Sequence, residues 1–230
     1  MIPIATLLGR YRTGYFPMAV EGGIGWFSPE PRGVIPLDRF QVPRRLARFL
    51  RQGRFQCTVN LSFRDVITAC ASREDTRGDW ISEHILESYC ALHEAGHAHS
   101  VEVWDADRLV GGLYGVSLRG AFFGESMFHR VRDASKVALC VLVKRLRERG
   151  FGLLDLQWVT PHLRQFGAVE ISRARYLTQL AESMQLDCVF DGPLPDGPLM
   201  DPSRSGDRCS APGSSSADAP SARCAPSSRS

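Results

Sequence analysis

The segment from Gly96 to Lys136 constrains the fold of this chain more than any other part of the sequence. In three stretches within it, apolar residues alternate with polar or small ones, and this period of two is typical of β-strands. The stretches are 100–104, 109–118 and 121–126. Short polar turns at 105–107 and 119–120 join them, so we expect the consecutive strands to pair antiparallel as a β-meander.

One carboxylate, Glu125, stands in the third of these strands among apolar and glycine residues. A carboxylate in such surroundings favours a positively charged partner, because a charge-assisted hydrogen bond offsets its loss of water. Glu125 is therefore a candidate binding residue.

Helices and further strands flank the meander in the sequence. Apolar spacing of three and four residues predicts helices at 62–72, 82–95 and 134–149, and alternation predicts strands at 55–60 and 151–157. A cap and first-turn proline at Thr160-Pro161 open a short helix that ends at Gly167, while Asp133 is expected to cap the helix at 134 and Gly150 to end it. The expected inward residues are Phe63, Val66, Ile67 and Cys70, and Ile85, Leu86, Tyr89 and Leu92. This order of elements predicts an α+β fold.

The composition indicates a globular protein. The chain has 230 residues, 43% of them hydrophobic, enough for one sizeable core or two small domains. No run approaches the roughly 20 apolar residues of a membrane helix, and residues 1–14 lack the pattern of a secretory signal. The seven cysteines are irregularly spaced without a C-x-x-C pair, which indicates free thiols in a reducing compartment. We therefore predict a cytoplasmic protein.

The last forty residues differ from the rest of the chain. Residues 191–230 hold seven of the fourteen prolines and ten serines but almost no large apolar side chain. Such a segment cannot bury enough surface to offset the entropy of ordering, and we predict that it is disordered.

Positive charge is concentrated between Arg32 and Arg54, where seven arginines stand against one acid, Asp38. Pro43 suits the first position of a helix, and the helix that follows has a cationic face opposite an apolar one. This arginine helix carries Arg44, Arg45, Arg48 and Arg51. Its charged face suits a phosphate backbone, and it equally fits a solvated surface that binds nothing.

Residues His93 to His97 read H-E-x-x-H, the spacing of a zinc protease whose two histidines bind the metal from one helical face. That chemistry requires both histidines in continuous helix. Gly96 stands between them, His97 leads into a strand pattern, and no third ligand follows at a suitable spacing. We expect a helix C-terminus with surface histidines here, and we predict neither a metal nor a cofactor.

Asp155 and Gln157 lie two residues apart in a predicted strand, so their side chains are expected to emerge on one face while Leu154 and Leu156 pack on the other. A carboxylate beside an amide can orient an attacking amine and relay its proton. The same two residues can equally form a structural hydrogen-bond pair that holds the strand to its neighbours.

Short motifs follow one another in order between residues 5 and 185. They are Y-F-P-M at 15–18, W-F-S-P-E-P-R-G at 26–33, L-V-G-G-L-Y-G at 109–115, F-G-E-S-M-F at 123–128, A-S-K at 134–136, D-x-Q at 155–157 and F-G-A at 166–168. Together they resemble the leucyl/phenylalanyl-tRNA protein transferase family, and F-G-E-S-M-F in its strand context is highly specific.

The resemblance implies a cytoplasmic enzyme that moves leucine or phenylalanine from tRNA onto proteins that begin with arginine or lysine, which marks those proteins for degradation. It also implies a catalytic domain, at 34–190, with the mixed sheet and flanking helices of the GCN5-type N-acyltransferase fold. The family's small N-terminal domain is shortened here to 1–33, because the early G-G-D-L segment of many members is absent.

The same resemblance assigns roles to individual residues. Asp155 and Gln157 match the family's catalytic pair, and Glu125 matches the acid near the acceptor. Trp80 and Met18 match positions that flank the terminal adenosine of the donor tRNA. The arginine helix matches the tRNA-binding surface, and the pocket for the donor side chain is matched by Leu113, Phe122, Met127, Leu142 and Leu154.

The implied reaction is aminolysis of an ester, which needs neither ATP nor metal. An N-terminal amine with a pKa of about 7.8 is roughly one-seventh neutral at pH 7, so a strong base is not required. We therefore favour Asp155 as an orienting group that acts through Gln157 or the amine. Proton abstraction by Asp155 and assistance from the terminal hydroxyl of the tRNA are the alternatives.

Substrate selectivity follows from size and charge. A hydrophobic pocket separates ligands by only about 1–3 kcal/mol per methylene, so methionine is expected as a poorer donor. The acceptor site is expected to be stricter, because Glu125 opposite a neutral N-terminal residue would be a buried unpaired charge.

Other functions fit the sequence less well. An acyl-CoA-dependent N-acetyltransferase on the same fold needs a glycine-rich turn whose amides hold pyrophosphate, and residues 129–134 contain no glycine. A tRNA-binding module without catalysis has no need of Glu125, Asp155 and Gln157 together. The chain departs from the family at His129, where a small serine is usual, and at Leu156, where cysteine is common.

Overall fold

The structure is a computed structural model that describes residues 1–72 and 80–192. Most of the segment predicted to be disordered, residues 193–230, therefore lies outside the described residues. None of the helices in the described part combines the length and the apolar character needed to cross a membrane.

The arginine helix and the helices and strands predicted between residues 55 and 167 are all present, and further elements, for which no prediction was made, lie on either side of them. The helices are α1 (Ile4–Arg12), α2 (Arg44–Arg51), α3 (Phe63–Ala71), α4 (Glu83–Glu94), α5 (Ala134–Glu148), α6 (Pro161–Arg164) and α7 (Arg173–Ser183). The strands are β1 (Phe16–Val20), β2 (Gly23–Phe27), β3 (Arg32–Ile35), β4 (Gln56–Val59), β5 (Ala98–Asp105), β6 (Arg108–Leu118), β7 (Ala121–His129), β8 (Leu153–Gln157) and β9 (Val169–Ile171).

The strands form two sheets. β1 and β2 make a hairpin, and the other strands form a seven-stranded sheet in the order β4-β5-β6-β7-β8-β3-β9. The predicted β5-β6-β7 meander is confirmed, and every neighbouring pair in the large sheet is antiparallel except β7 and β8. The predicted division of the chain at residue 33 falls inside β3, which pairs with both β8 and β9.

Helices cover both faces of the large sheet. Because side chains alternate along β6, Tyr114 packs on one side with α1, α3, α4 and α7, whereas its neighbour Leu113 packs on the other side with α2, α5 and α6. The residues predicted to face inward from α3 and α4 are all buried. A mixed sheet between helical layers confirms the α+β prediction, and the GCN5-type assignment stays a prediction.

Helix ends follow local sequence signals with two exceptions. Thr160 caps α6 by accepting a hydrogen bond from the Leu163 amide, and Gly150, with a φ of +75°, follows the end of α5. The prediction that Asp133 caps α5 is wrong: its backbone is left-handed and its carboxylate binds Lys136 instead. Pro43 is the residue before α2 and not its first residue, because its backbone is extended. Its carbonyl accepts the first hydrogen bond of the helix, from the Ala47 amide.

The separation of β7 from β8 positions the site. These parallel neighbours pair only from Ala121 to Phe123 on β7. Beyond that point β7 continues to His129, whereas β8 ends at Gln157. Because the two strands no longer hydrogen-bond to each other there, side chains from both can line an opening in the sheet.

Candidate active site

A cavity of about 1190 Å³ lies beside the unpaired ends of β7 and β8. Such a volume exceeds that of most small-molecule pockets. Most of the residues singled out from the sequence line it, namely Met18, Trp80, Leu113, Glu125, Met127, Leu142, Leu154 and Gln157. Two others, Asp155 and Phe122, are not part of its wall.

The carboxylate of Asp155 is fully buried and saturated with hydrogen bonds. Its Oδ1 accepts from Arg32 Nε at 2.8 Å and from the Gln157 amide at 2.9 Å. Its Oδ2 accepts from Arg32 Nη2 at 2.6 Å and from the Tyr176 hydroxyl at 2.8 Å. A carboxylate has about four acceptor positions, so Asp155 has none left for a substrate and does not emerge beside Gln157.

Gln157 lies in a tight turn that Asp155 holds in place. Its φ is +60°, which is uncommon for a residue other than glycine, and the Trp158 amide donates to the Leu156 carbonyl at 2.7 Å across it. The Asp155 carboxylate accepts the Gln157 amide two residues on, as in an Asx turn. This turn takes Gln157 out of the strand alternation, so its side chain lines the cavity while Asp155 stays behind it.

Arg32 and Tyr176 are site residues that the sequence reasoning missed. Arg32 was counted in the cationic cluster between residues 32 and 54, but it is fully buried against Asp155 and also donates to the Gly14 carbonyl at 2.9 Å. Its position in the motif W-F-S-P-E-P-R-G was the available signal. Neither the 123-residue separation from Asp155 nor the surrounding arginines pointed to this ion pair.

Glu125 occupies a β-bulge. Gly124 pairs with Gly115 and Ser126 pairs with Tyr114, so Glu125 has no partner residue on β6. A bulge re-aims the side chain of the extra residue, and here the carboxyl group of Glu125 points toward the N-terminal part of the molecule. It receives a hydrogen bond from Tyr11 at 2.8 Å and another from Tyr89 at 3.2 Å.

The surroundings of Glu125 favour its neutral form. Removal from water raises the pKa of this carboxyl group to about 8, an effect that the hydrogen bonds from Tyr11 and Tyr89 only partly oppose. The two tyrosine hydroxyls also contact each other, and Gln157 Nε2 approaches the carboxyl group at 3.5 Å. Glu125 is therefore largely protonated near neutral pH until a cation reaches it.

The remaining predicted substrate-binding residues divide between the two sides of the cavity. Trp80 and Met18 belong to adjacent segments, since the Ala19 amide donates to the Trp80 carbonyl at 3.0 Å. Leu113 and Met127 are cross-strand partners that line the cavity with Leu142 and Leu154. Phe122 is buried outside the lining and stacks on Phe190 with centroids 5.1 Å apart.

The H-E-x-x-H segment has the geometry that its glycine predicts. α4 ends at Glu94 and Gly96 has a φ of +77°, so His97 does not continue the helix that carries His93. His93 stacks on Phe63, and its Nδ1 contacts the Ala98 carbonyl at 2.8 Å. Across 1–72 and 80–192, no cluster of three potential metal ligands is found.

The arginine helix is α2, and its charged side chains are exposed as predicted. Arg44, Arg45, Arg48 and Arg51 face solvent, whereas Leu46 and Leu50 are buried against the sheet. The charge of Arg45 is close enough to α5 to help lower the pKa of Asp133. The cationic face therefore reaches the beginning of α5, whose residues also line the cavity.

Comparison with known proteins gives one consistent family. The family described as leucyl/phenylalanyl-tRNA protein transferase matches residues 34–181. A leucyl/phenylalanyl-tRNA protein transferase of Rhodopseudomonas palustris is 52% identical over 197 residues, which cover 84% of this chain and 88% of that protein. A transferase of the same name from Rubrobacter xylanophilus is 53% identical, and the match covers 80% of this chain and 96% of that protein. Another from Herpetosiphon aurantiacus is 49% identical, and the match covers 80% of this chain and 95% of that protein.

A solved structure of L-PGS from Bacillus licheniformis is a more distant match. It is 10% identical in sequence, covers 79% of this chain and 70% of that chain, and gives a TM-score of 0.42.

Proposed function

The chain belongs to the leucyl/phenylalanyl-tRNA protein transferase family, and we propose that the cavity between β7 and β8 is its active site. The enzyme is an aminoacyltransferase that carries an amino acid from aminoacyl-tRNA to the N-terminus of a protein. The donors are Leu-tRNA and Phe-tRNA, with Met-tRNA as a poorer one, and the acceptors begin with Arg or Lys. The observation that carries this proposal is a half-buried carboxyl group, that of Glu125, beside an apolar lobe of one cavity.

The reaction requires few chemical groups from the protein. The neutral α-amine of the acceptor attacks the ester carbonyl carbon of the aminoacyl-tRNA, a C–N bond forms, and the bond from that carbon to the ribose oxygen breaks. The amine loses a proton and the ribose oxygen leaves as a hydroxyl after gaining one. Correct placement of the two substrates supplies most of the rate.

Gln157 orients the reacting groups, and Asp155 positions Gln157. The Gln157 amide group lies in the cavity wall within 3.5 Å of Glu125, where it can hydrogen-bond to an amine or an ester. Asp155 acts through the turn that it stabilises, because its four acceptor positions are filled by Arg32, Tyr176 and the Gln157 amide. This saturation supports the orienting role over proton abstraction by Asp155.

Glu125 selects the acceptor by its charge. A guanidinium or ammonium group that enters the cavity stabilises the carboxylate, so Glu125 ionises as the acceptor binds. A neutral N-terminal residue instead meets a neutral acid. The discrimination at neutral pH is then smaller than a permanently charged Glu125 would give, which revises the strictness expected from the sequence.

The donor is held at both of its ends. Leu113, Met127, Leu142 and Leu154 provide an apolar lobe for a leucine or phenylalanine side chain. Trp80 offers a ring on which the terminal adenine can stack, and Met18 adds an apolar contact. The exposed arginines of α2 bind the tRNA backbone.

The same proposal places the reaction in the cytoplasm, where aminoacyl-tRNA is made. The five cysteines in the described part of the chain are all free thiols, as expected in a reducing compartment.

A transfer assay tests the proposal. Purified protein is mixed with Leu-tRNA or Phe-tRNA that carries labelled amino acid and with peptides that begin with Arg, Lys or Ala. Transfer to the Arg and Lys peptides in preference to the Ala peptide is expected. Absence of transfer, together with acetylation of the same peptides from acetyl-CoA, would overturn the proposal.

A further inference from the structure

Trp158 presents an exposed indole ring at the rim of the cavity, directly after Gln157. The residue lines the cavity, yet it is 47% exposed to solvent. A single exposed apolar side chain is common on protein surfaces, but this one lies next to a residue proposed to orient the reacting groups. Because burial of an aromatic ring is strongly favourable, its place here indicates that a substrate covers the ring.

The surrounding structure fixes the position of this ring. The turn at Gln157 ends with the Trp158 amide, which donates to the Leu156 carbonyl at 2.7 Å. Gly33 lets the chain at Trp158 pass close to β3, since a Cβ atom on Gly33 would lie 2.7 Å from the Trp158 carbonyl carbon. The ring of Trp158 also packs edge-on against Phe16, with centroids 5.3 Å apart. A ring held in this way loses little conformational freedom when a ligand stacks on it.

Trp158 continues the row of side chains proposed to hold the terminal adenosine. Phe16 and Met18 are two residues apart in β1, so their side chains share one face and their Cα atoms are about 7 Å apart. Trp80 adjoins Met18 through the hydrogen bond from the Ala19 amide to the Trp80 carbonyl. All four side chains of the row line the cavity, in the order Trp80, Met18, Phe16 and Trp158. Trp158 is the most exposed of them, so a nucleotide that precedes the adenosine and lies nearer to solvent meets this ring.

The carboxylates of the cavity wall favour RNA at the Trp158 end. Among the described residues, the carboxylates that line the cavity belong to Asp65, Asp107 and Glu125. Asp65 lies on α3 and Asp107 in the turn between β5 and β6, whereas Trp158 follows β8, which β7 separates from β6. A phosphate backbone that enters past Trp158 therefore avoids the two exposed acids, and the end of the cavity where they lie suits a cationic peptide.

We propose that the indole ring of Trp158 stacks on the base of the penultimate nucleotide of the donor tRNA. The proposal rests on the function given above. Stacking on an aromatic ring accepts any base, so this contact adds affinity for the 3′ end without reading its sequence. A side chain of the acceptor fits the ring less well, because the acids that suit a cationic peptide, Asp65 and Asp107, lie at the other end of the cavity.

Two dinucleotide donors test this contact directly. One is the leucyl ester of cytidylyl-(3′→5′)-adenosine, and the other is the same ester with the cytosine replaced by hydrogen, which keeps the ribose and the phosphate. We expect the wild-type protein to use the donor with the base at a kcat/KM about tenfold higher, mainly through a lower KM, as stacking of one base implies. The leucyl ester of adenosine, which lacks the whole penultimate nucleotide, is the reference donor.

The matched variants separate the ring of Trp158 from the rest of the cavity wall. Trp158→Ala removes the ring and is expected to bring the ratio of the two dinucleotide kcat/KM values close to one. Trp158→Phe keeps a smaller ring and is expected to retain part of the ratio. Trp104→Ala removes another indole ring that lines the cavity, on β5, and is expected to leave the ratio unchanged.

The outcomes distinguish this contact from the enzymatic function. A wild-type ratio near one, or a tenfold ratio that persists in Trp158→Ala, would overturn the stacking contact while transfer from the donors still supports the enzyme. A persistent ratio together with a raised KM for the Arg peptide would show that the ring binds the acceptor instead. No transfer from any of these donors or from Leu-tRNA in the wild type would overturn the proposed function itself. The leucyl ester of adenosine also reports the active fraction of each variant, because it has no base to stack on Trp158.

Discussion

The carboxyl group of Glu125 lies in apolar surroundings, and its charge changes close to neutral pH. Its pKa of about 8 results mainly from burial, and it lies close to the pKa of about 7.8 of an N-terminal amine. The carboxyl group therefore changes its charge in the pH range in which the acceptor amine becomes nucleophilic.

The acceptor preference should increase with pH. As the pH rises from 6.5 to 9, Glu125 ionises through its pKa of about 8, and a cationic N-terminal side chain gains an ion pair. We expect the ratio of kcat/KM for an Arg peptide to that for a matched citrulline peptide to rise severalfold over this range. Citrulline keeps the shape of arginine without its charge, and the titration of the α-amine cancels in the ratio.

Glu125→Gln is the control for this titration. The variant keeps the size of the side chain but cannot ionise, so its ratio should be low and independent of pH. A wild-type ratio that stays flat from pH 6.5 to 9 would show that Glu125 is already charged at the lower pH, contrary to the effect of its burial.

The same group makes the stability of the protein depend on pH. A carboxyl group whose pKa is higher in the folded than in the unfolded state stabilises the fold at low pH, and this contribution is lost as the pH rises through the folded pKa. For Glu125 the loss extends from about pH 4.5 to about pH 8. Thermal unfolding should show wild type losing Tm relative to Glu125→Gln between pH 5 and pH 9.

If the difference in Tm between wild type and Glu125→Gln does not change with pH, the carboxyl group of Glu125 is exposed to water in the folded protein. Both proteins must be measured without substrates, because a bound cation would lower the pKa of Glu125 and reduce the effect.

Asp155 is expected to contribute to catalysis by positioning Gln157 and not by accepting a proton. Asp155→Asn leaves the buried Arg32 guanidinium without its counter-charge, so we expect the free energy of unfolding to fall by about 3–5 kcal/mol. In the folded fraction, the fold-decrease in kcat should be larger than the fold-change in KM for aminoacyl-tRNA. The pH profile of kcat should keep its shape. Chemical denaturation and steady-state kinetics measure these quantities.

The double variant Arg32→Met with Asp155→Leu separates the effect on folding stability from the effect on the position of Gln157. Replacing a buried ion pair by apolar residues can recover stability, but leucine cannot accept the Gln157 amide. We therefore expect stability closer to wild type and transfer slower than in Asp155→Asn, whose amide oxygen can still accept the Gln157 amide. Loss of an ionisation from the pH profile in either variant would instead favour Asp155 as the base.

At the scale of elements, the contact between β6 and α5 sets one wall of the cavity. Gly111 allows this contact: a Cβ atom there would lie 2.5 Å from the Ala134 Cβ and 3.2 Å from the Ser135 amide nitrogen. Gly111→Ala should therefore push the start of α5 outward, at a cost of about 1–3 kcal/mol in unfolding free energy. Because Ser135 lines the cavity, KM for the donor should rise as well.

Gly9→Ala is the matched glycine control. Gly9 lies within α1 with nothing near its missing Cβ, so alanine there should stabilise the protein by about 0.5–1 kcal/mol through helix propensity. Equal effects of the two substitutions on unfolding would contradict the close approach at Gly111.

Elements were largely predictable from the sequence because their signals are local. The meander follows from alternation, and the ends of α4 and α6 follow from Ser82, Gly96 and Thr160, whose side chain or φ defines the boundary in the structure. Asp133 failed as a cap because Lys136, one turn away, competes for its carboxylate.

The site was less predictable because its contacts join distant segments. Nothing near Arg32 in the sequence indicates that β3 inserts between β8 and β9 and brings it to Asp155. The bulge at Glu125 depends on the register of the partner strand β6. The left-handed turn at Gln157 is also hidden, because glutamine carries none of the preference for such a backbone that glycine has.

For the molecule as a whole, the exposed face of α2 should govern tRNA affinity. Arg48→Gln with Arg51→Gln removes two positive charges that lie in solvent. We expect weaker binding of aminoacyl-tRNA and a slope of log K against log salt reduced by about 0.7–0.9 for each phosphate that the protein no longer neutralises. Transfer from the leucyl ester of adenosine should be unchanged, since that donor does not reach α2.

Arg175→Gln is the control for net charge. Arg175 is exposed on α7, and its loss should leave the salt dependence of tRNA binding as in wild type. If this variant weakens tRNA binding as much as the loss of one α2 arginine, the interaction depends on total charge and not on the α2 surface.

Under the proposed role of Glu125 as the acid that binds the acceptor, the bulge in β7 makes the length of a strand, and not only its composition, a determinant of acceptor choice. Gly124 and Ser126 are paired on either side of Glu125, so removing the extra residue would restore regular pairing and withdraw the acid without a change at any other position. On that proposal, a change of one residue in strand length at this position exchanges a preference for cationic N-termini for a preference for neutral ones in a single evolutionary step.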